Sequence, residues 1–550
     1  MVRLLSIVLL VLLSSVSLGL NFNDFKSSVG SIYNSELERK FFEDYARTGK
    51  IQDMDTWMIM ASGVYDTSKI AYYKQMIDRI STDISNSLKD RKLSRYDTAK
   101  FIFDYLHQNI FKSYLEQSTD IDQLFDTGYY NCVNSTAIYN LILKKFGFEP
   151  RVIQLPDHIF SVFYLDNYRV EVETTARKGF DVVRNPDAIK ELKERTSYVY
   201  VPEGKGKRVE VGDDGLLASM YANQVLVYKD VGNYAEILKA SIKALILETN
   251  LFLAYTNLRS AYIGLFTDYS KKNNYEKAIE FAEESLTIFR NDKEILEFLR
   301  ATYYNYALHL INTRDYAKSI QFINYVKKNR PEYYDELVDL TDYLVLSWGK
   351  SEIQKGNYDN IFKVISQGLD LDRKRTYNAG INLLVEVSKI FVGRKEYEKA
   401  VNYHKEFIRI FPEGKEAEQN LGYYYNVWGV ELMNGGKLEE SVRVFEEGIK
   451  DLPRDNVLKQ NCSIAYAKLS QISFDKKDFE NSMSFINRAL ELNYSKQLDN
   501  IRRNIYIGWA RHLAFSEENF KKAREVVQKG LDLYPNEIEL KKIQDYVSKK

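Results

Sequence analysis

At 550 residues the chain is too long for one compact core, so two or more folded units are expected. Its 77 Lys+Arg residues balance 77 Asp+Glu residues, which removes the electrostatic reason to expect nucleic acid as a partner. A hydrophobic share of 45% is that of a folded chain, and only 8 prolines and 26 glycines favour helix.

The first residues read as an export signal. Arg3 gives the positive start, Leu4 to Leu13 is apolar apart from Ser6, and Ser17 and Gly19 suit a cleavage site after residue 19. No cysteine lies near that point to carry a lipid. An uncleaved anchor is the alternative, since Leu4 to Leu20 just reaches across a bilayer. Either way the rest of the chain is expected outside the cytoplasm, periplasmic or extracellular, with no later apolar segment long enough to span a membrane. The two cysteines, Cys132 and Cys462, fall in different units, so a disulfide between them is not expected. Cys132 is then a free thiol in an exported protein, which calls for a reason.

Residues 20–94 are polar and amphipathic, with helical stretches at Glu36 to Arg47 and Ile70 to Leu88 and no visible chemistry. Arg95 to Tyr114 reads as a helix with Ala99, Ile102, Phe103, Leu106 and Ile110 on one stripe. Asp126 to Cys132 reads as a loop, and Val133 to Phe146 as a helix closed by Gly147. Three strands are predicted next, Pro150 to Leu155, His158 to Leu165 and Tyr168 to Thr175, with Asp166-Asn167 as the turn between the last two.

Cys132 opens its helix, where partial positive charge and free N–H groups favour a thiolate and could hold an oxyanion. If Leu165 pairs with Tyr168 across a two-residue turn, His158 faces Thr175, and Glu173 is its diagonal neighbour on the same face. Glu171 shares that face but lies farther off. A carboxylate beside an imidazole fixes its tautomer and supports its charge, so Cys132, His158 and Glu173 read as nucleophile, base and orienting group of acyl transfer. Taken singly, each has a plainer reading: a small core cysteine, a capped histidine, a solvated glutamate. Their order and their elements favour the triad. His107, His309, His404 and His512 have no comparable partners, and no metal-ligand cluster, cofactor signature or phosphate loop stands out.

These residues resemble the transglutaminase-like core of the papain-like cysteine superfamily. The resemblance lies in Asn131-Cys132 before a helix, the run Lys144 to Val152, Pro156-Asp157-His158, and Val172-Glu173-Thr174-Thr175. It implies an α+β core over about residues 95–200 with Cys132, His158 and Glu173 catalytic, hydrolysing or transamidating a peptide or amide bond without a cofactor. Two departures stand out. Asn131 replaces the glycine common before the cysteine, and Glu173 replaces the commoner aspartate. The family's additional oxyanion donor has no evident match.

From residue 217 to the end a repeat dominates. Polar turns followed by an apolar residue place Tyr234, Tyr275, Tyr316, Tyr358, Tyr397, Leu438, Phe479 and Phe520 at spacings of 41, 41, 42, 39, 41, 41 and 41. Small residues recur in the same register three positions later except at Ile237 and Ile361, ten later except at Val326 and Phe407, and nine before at Ala307, Gly349, Ser388, Gly429 and Ser470. Pro331, Pro412, Pro453 and Pro535 fall fifteen after. The pattern is similar to the tetratricopeptide repeat, whose period is about 34. The proline register puts the surplus in the first helix of each hairpin, so long first helices are expected. Trp348, Trp428 and Trp509 are expected to be packing residues.

The expected architecture is mainly α: a signal over 1–19, a helical region over 20–94, a small α+β transglutaminase-like (papain-like) core over 95–200, and an α-solenoid of about eight hairpins over 217–550. The expected partner is a protein or peptide on the repeat surface, with no nucleic acid, and membrane contact only through an uncleaved N-terminus. The rival reading is a non-catalytic scaffold carrying a degenerate transglutaminase-like domain.

Overall fold

A computed structural model describes residues 30–550 apart from 167 and 197. The expected export signal over 1–19 and the turn residue Asn167 therefore lie outside the described residues. The chain is mainly helical and divides into two compact units, one ending at Tyr306 and the other running Ala307–Lys550.

The first unit opens with α1 (Glu36–Thr48), α2 (Met54–Ala61), α3 (Thr67–Leu88) and α4 (Arg95–Asn109), each with a side-chain N-cap, from Ser35, Asp53, Asp66 and Ser94. Helix α4 ends five residues before the expected Tyr114. Ser113–Tyr114 instead forms β1, pairing in parallel with β2 (Tyr129–Tyr130). The expected loop before Cys132 also contains a helical turn, α5 (Ile121–Thr127). Gly128 stops it at φ 82°, a conformation that glycine adopts without strain. The carbonyl of Gly128 accepts from the Lys112 N–H at 2.9 Å, so a close backbone approach ends α4 and fixes β1 against β2.

Helix α6 (Cys132–Lys145) is buried from Cys132 to Leu143. Basic Lys144 and Lys145 in its last turn suit the dipole, and Lys145 reaches Asp55 at 2.9 Å and Asp78 at 3.1 Å. It packs against β4 (Ile159–Leu165), which lies between β3 (Arg151–Gln154) and β5 (Tyr168–Val172). With β6 (Val209–Val211) these make a four-stranded antiparallel sheet of order β5-β4-β3-β6. Leu165 pairs with Tyr168, and Ser161 with Val172, the register expected from the two-residue turn. Helix α7 (Pro186–Arg195) precedes β6, and α8 (Asp213–Asn223) and α9 (Val225–Asp230) follow it. Three repeat helices lie wholly within this unit, α10 (Tyr234–Leu247), α11 (Phe252–Lys271) and α12 (Tyr275–Ile288). The break between units falls inside α13 (Lys293–Asn312).

The second unit continues the same grammar. After α14 (Tyr316–Asn329) comes a 3₁₀ turn at Pro331–Tyr333, then α15 (Tyr334–Val338), α16 (Thr341–Lys355) and α17 (Asn360–Leu369). Regular hairpins follow: α18 (Arg373–Gly393), α19 (Tyr397–Ile410), α20 (Lys415–Asn434), α21 (Leu438–Asp451), α22 (Asn456–Asp475), α23 (Phe479–Leu492), α24 (Lys496–Phe515), α25 (Phe520–Leu533) and α26 (Ile538–Ser548).

Helices that begin at the turn aromatic or leucine run 14 residues, and most of those between them run 20. The surplus over the shorter repeat sits in these long helices. Regularity fails at α15–α17, where the spacings change to 42 and 39.

Two features of the array follow from backbone and packing constraints. The residue before each cap lies in the left-handed region, with φ between 50° and 78° at Gly232, Asn273, Arg314, Gly356, Lys395, Gly436, Lys477 and Glu518. The next residue caps the helix with its side chain at Asn233, Asn274, Asp315, Asp478 and Asn519, whereas Asn357 does not, because α17 starts three residues later. The registered small residues also allow close contact: a Cβ on Gly429 would sit 2.5 Å from the Phe445 ring. Trp348, Trp428 and Trp509 are half-buried against the core of this unit.

Candidate functional site

The site is built where α6 begins. Asn131 is its N-cap, and Asn131 Oδ1 accepts from the N–H groups of Val133 (3.0 Å) and Asn134 (3.1 Å). Asn134 Oδ1 accepts in return from the Asn131 N–H at 2.9 Å, so two asparagines at capping-box spacing lock the turn that carries Cys132. The asparagine in place of glycine is thus a cap. Both side chains also donate outward, Asn131 to the Glu116 carbonyl at 3.1 Å and Asn134 to the Ser118 carbonyl at 2.9 Å. They tie the turn after β1 to the helix start.

Past β5 the segment Glu173-Thr174-Thr175 crosses behind that helix start. Thr174 Oγ1 lies 2.8 Å from Ser135 Oγ and 3.0 Å from Thr136 Oγ1. Glu173 Oε1 accepts from Thr175 N–H at 3.2 Å and from Thr175 Oγ–H at 2.6 Å, leaving Oε2 to face His158 Nε2 at 2.7 Å. The longer glutamate arm therefore meets two partners. Gly179 holds this strand end, because its carbonyl accepts from Glu173 N–H at 2.9 Å and a Cβ there would collide with the Glu173 carbonyl oxygen.

The His158 and Glu173 side chains are 2% and 1% exposed. Burial on its own drives the His158 imidazolium toward neutrality. The charge of Glu173, and then the Cys132 side chain next to the ring, outweigh it and raise its titration from 6.5 to about 10. His158 Nδ1 is buried with no fully formed hydrogen bond. The structure thus brings together all three residues singled out in the sequence. Cys132 is 6% exposed and forms no disulfide.

Two tyrosines complete the surroundings. Tyr198 stacks on the His158 ring, with centroids 4.2 Å apart and planes 27° apart. Its hydroxyl pairs with that of Tyr114, and burial and the nearby Cys132 push both phenols up. Neither is part of the triad pattern. Tyr114 was hidden by the expectation of a helix there, and Tyr198 lies 25 residues beyond Glu173, where sequence spacing carries no signal. The Asn131-x-x-Asn134 spacing was legible as a cap.

The other histidines behave differently. Burial, then Arg195 and Arg177, push His107 down to about 3, and burial pushes His404 down to about 4. His512 lies 3.1 Å from Glu517. Cys462 is buried in α22 and its thiol is pushed up to about 12, chiefly by burial. Among the described residues no group of three or more His, Cys, Asp and Glu could hold a metal ion, and no helix is long and apolar enough to cross a membrane.

The arrangement defines an array of helical hairpins joined to a small sheet with a Cys-His-Glu cluster. A tetratricopeptide-repeat family model matches residues 464–496, the end of α22, the Lys477 turn and α23. Similar solved structures include the TPR2AB domain of yeast Sti1 complexed with pHSP90, at 16% identity over 52% of this chain and 98% of that one, TM-score 0.18. YrrB, a TPR protein with an unusual peptide-binding site, is 15% identical over 40% of this chain and 97% of that one, TM-score 0.15. A tetratricopeptide repeat protein from Parabacteroides merdae is 13% identical over 60% and 98%, TM-score 0.14. Identities and TM-scores this low carry no argument about function. No curated protein matches the chain. The chain contains a tetratricopeptide repeat, and these matches point to no acyl-transfer core.

Proposed function

We propose that the chain is an exported cysteine acyl-transfer enzyme of transglutaminase-like type, whose repeat array recruits a protein or peptide substrate. The observation that carries the reading is the buried 2.7 Å contact of His158 with Glu173 beside Cys132 on the first residue of a helix. An imidazolium held positive to about pH 10 favours a neighbouring thiolate. In this mechanism Cys132 Sγ attacks the carbonyl carbon of an amide, and the Cys132 N–H, among the unpaired donors of the helix start, stabilises the oxyanion. The His158 ring gives its proton to the leaving nitrogen as the C–N bond breaks, leaving a thioester. Water, deprotonated by the now neutral His158 ring, attacks the thioester, and the C–S bond breaks to release the acid and restore the thiolate beside the imidazolium. An amine in place of water would give transamidation, and hydrolysis is the favoured course because water is the default acceptor. Glu173 keeps the ring oriented and charged throughout.

The test is incubation of the full chain with a peptide panel, following amide cleavage and the mass of Cys132. An acyl adduct on Cys132, with cleavage falling at least about 1,000-fold in Cys132→Ala and His158→Ala, supports the enzyme. Cleavage indifferent to Cys132 refutes it.

A non-catalytic scaffold is the second reading, favoured by one observation: the family match falls on the repeats alone. On that reading the array docks a partner and the Cys132 cluster is structural. Partner capture by full-length Cys132→Ala equal to wild type, with no adduct under any condition, is the result it expects.

A further inference from the structure

The Cys132 cluster lies under a cover. Cys132 is 6% exposed and the His158 side chain 2%, so a peptide carbonyl cannot seat on the sulfur in this arrangement. The ring of Tyr198 closes it, stacked on the imidazole at 4.2 Å with its hydroxyl against that of Tyr114. Tyr198 begins a strap, residues 198–208, that runs to β6 without regular structure. Among the described residues the strap's backbone N–H groups bond only locally, Tyr198 to Thr196 Oγ1 at 3.2 Å and Lys205 to the Pro202 carbonyl at 3.1 Å.

Side chains hold the strap down instead, and they converge on Glu171, a carboxylate of β5 that is 1% exposed. Glu171 Oε2 accepts from the Tyr200 hydroxyl at 2.6 Å. Its Oε1 accepts from Arg208, whose other terminal nitrogen reaches the Val201 carbonyl. Arg169, itself on β5, lies 3.0 Å from the same Oε1 and keeps the carboxylate paired when the strap leaves. Tyr200 also packs on Ile153, Phe160 and Val162, and the Phe160 ring is 6.4 Å from that of His158. The strap's other ion pair, Glu203 with Arg169, has a carboxylate 74% exposed and holds little. Hydrogen bonds to a buried charge favour the closed position, and a segment without a backbone ladder opens locally at a cost far below that of unfolding.

We propose that residues 198–208 are a gate over Cys132, with Tyr198 as its cover and Glu171 as the latch that holds Tyr200 and Arg208. Substrate enters when the latch releases and Tyr198 leaves the imidazole. Glu171, buried and outside the triad, thereby controls access to the sulfur from the far end of the strap. The gate rests on the acyl-transfer reading for its purpose, though not for its test.

The test reads access by size and requires no turnover. Full-length protein is labelled at pH 7 in parallel with N-ethylmaleimide and the bulkier N-(1-pyrenyl)maleimide. Peptide mapping reads Cys132, and each rate is normalised to 2-mercaptoethanol. A change in thiol reactivity moves both rates equally, so their ratio reports access. In wild type the bulky reagent is expected to be disfavoured at least about tenfold, because it reacts only with the open population. Tyr200→Phe keeps the ring on Phe160 and removes one hydrogen bond to a charged group, which should raise the bulky-reagent rate about tenfold. Tyr198→Ala removes the cover and should bring the ratio near one. A wild-type ratio near one, or a ratio that Tyr200→Phe or Tyr198→Ala leaves unmoved, overturns the gate. If the ratio follows both substitutions while His158→Ala leaves the N-ethylmaleimide rate unchanged, the gate stands and the acyl-transfer reading fails.

Discussion

Substituting Glu173 by Gln removes one charge from the centre of the cluster and keeps its shape. The carboxylate lies 2.7 Å from His158 Nε2 with both side chains almost wholly covered, so water cannot replace the lost charge. Glu173 is the largest influence opposing burial at His158. Without it only the Cys132 side chain opposes burial, and the ring is expected to titrate well below about 10. Removing one partner of a buried pair costs about 3–5 kcal/mol. Because His158 titrates higher in the folded state, its stabilisation is fully present below about pH 6.5 and is lost as pH rises through about 10. The deficit of Glu173→Gln should therefore be largest at pH 6 and shrink above pH 10. Imidazole NMR, with His158 assigned by His158→Gln, follows the titration, and denaturation at pH 6, 8 and 10 follows the stability. A His158 that titrates near 6.5 in both proteins would refute the reasoning.

Three further outcomes rest on different parts of the molecule. Gly179→Ala should displace the Glu173 backbone, costing about 1–3 kcal/mol and slowing Cys132 alkylation, and unchanged alkylation would count against the role given to Gly179. Gly429→Ala forces a Cβ to 2.5 Å from Phe445, and urea denaturation of the full chain should show a loss of about 1–3 kcal/mol in the transition that reports the Ala307–Lys550 unit. Lys477→Gly relieves a φ of 63° at a position where other repeats already carry glycine, and the same transition should gain about 1 kcal/mol.

The repeat was legible because its signal is periodic. A residue type recurring every 41 positions survives individual departures, and four prolines located the surplus helix length before any coordinates. The fault in the series was also visible as spacings of 42 and 39, though not its form, a long helix broken into a 3₁₀ turn, α15 and α16. The β4–β5 register followed from one short turn, but the ladder stops at Ser161 and Val172, so the expected pairing of His158 with Thr175 does not form and Glu173 reaches His158 from the segment past β5. Tyr198 could not be read from sequence, because its stacking on His158 depends on the path of the chain between β5 and β6. Neither could the end of α4, which the carbonyl of Gly128 decides from 16 residues away. Gly179 carried no signal at all, since its requirement arises only where the chain doubles back on Glu173.

The central claim is that Cys132, His158 and Glu173 act as one unit, and the rate of Cys132 alkylation by iodoacetamide at pH 7 tests it most directly. Cys462, buried with its thiol pushed up to about 12, is the internal reference within the same chain. The account predicts that Cys132 reacts at least about tenfold faster than Cys462, and that His158→Ala removes most of that advantage while leaving Cys462 unchanged. Equal, slow alkylation of both cysteines, indifferent to His158, would contradict it.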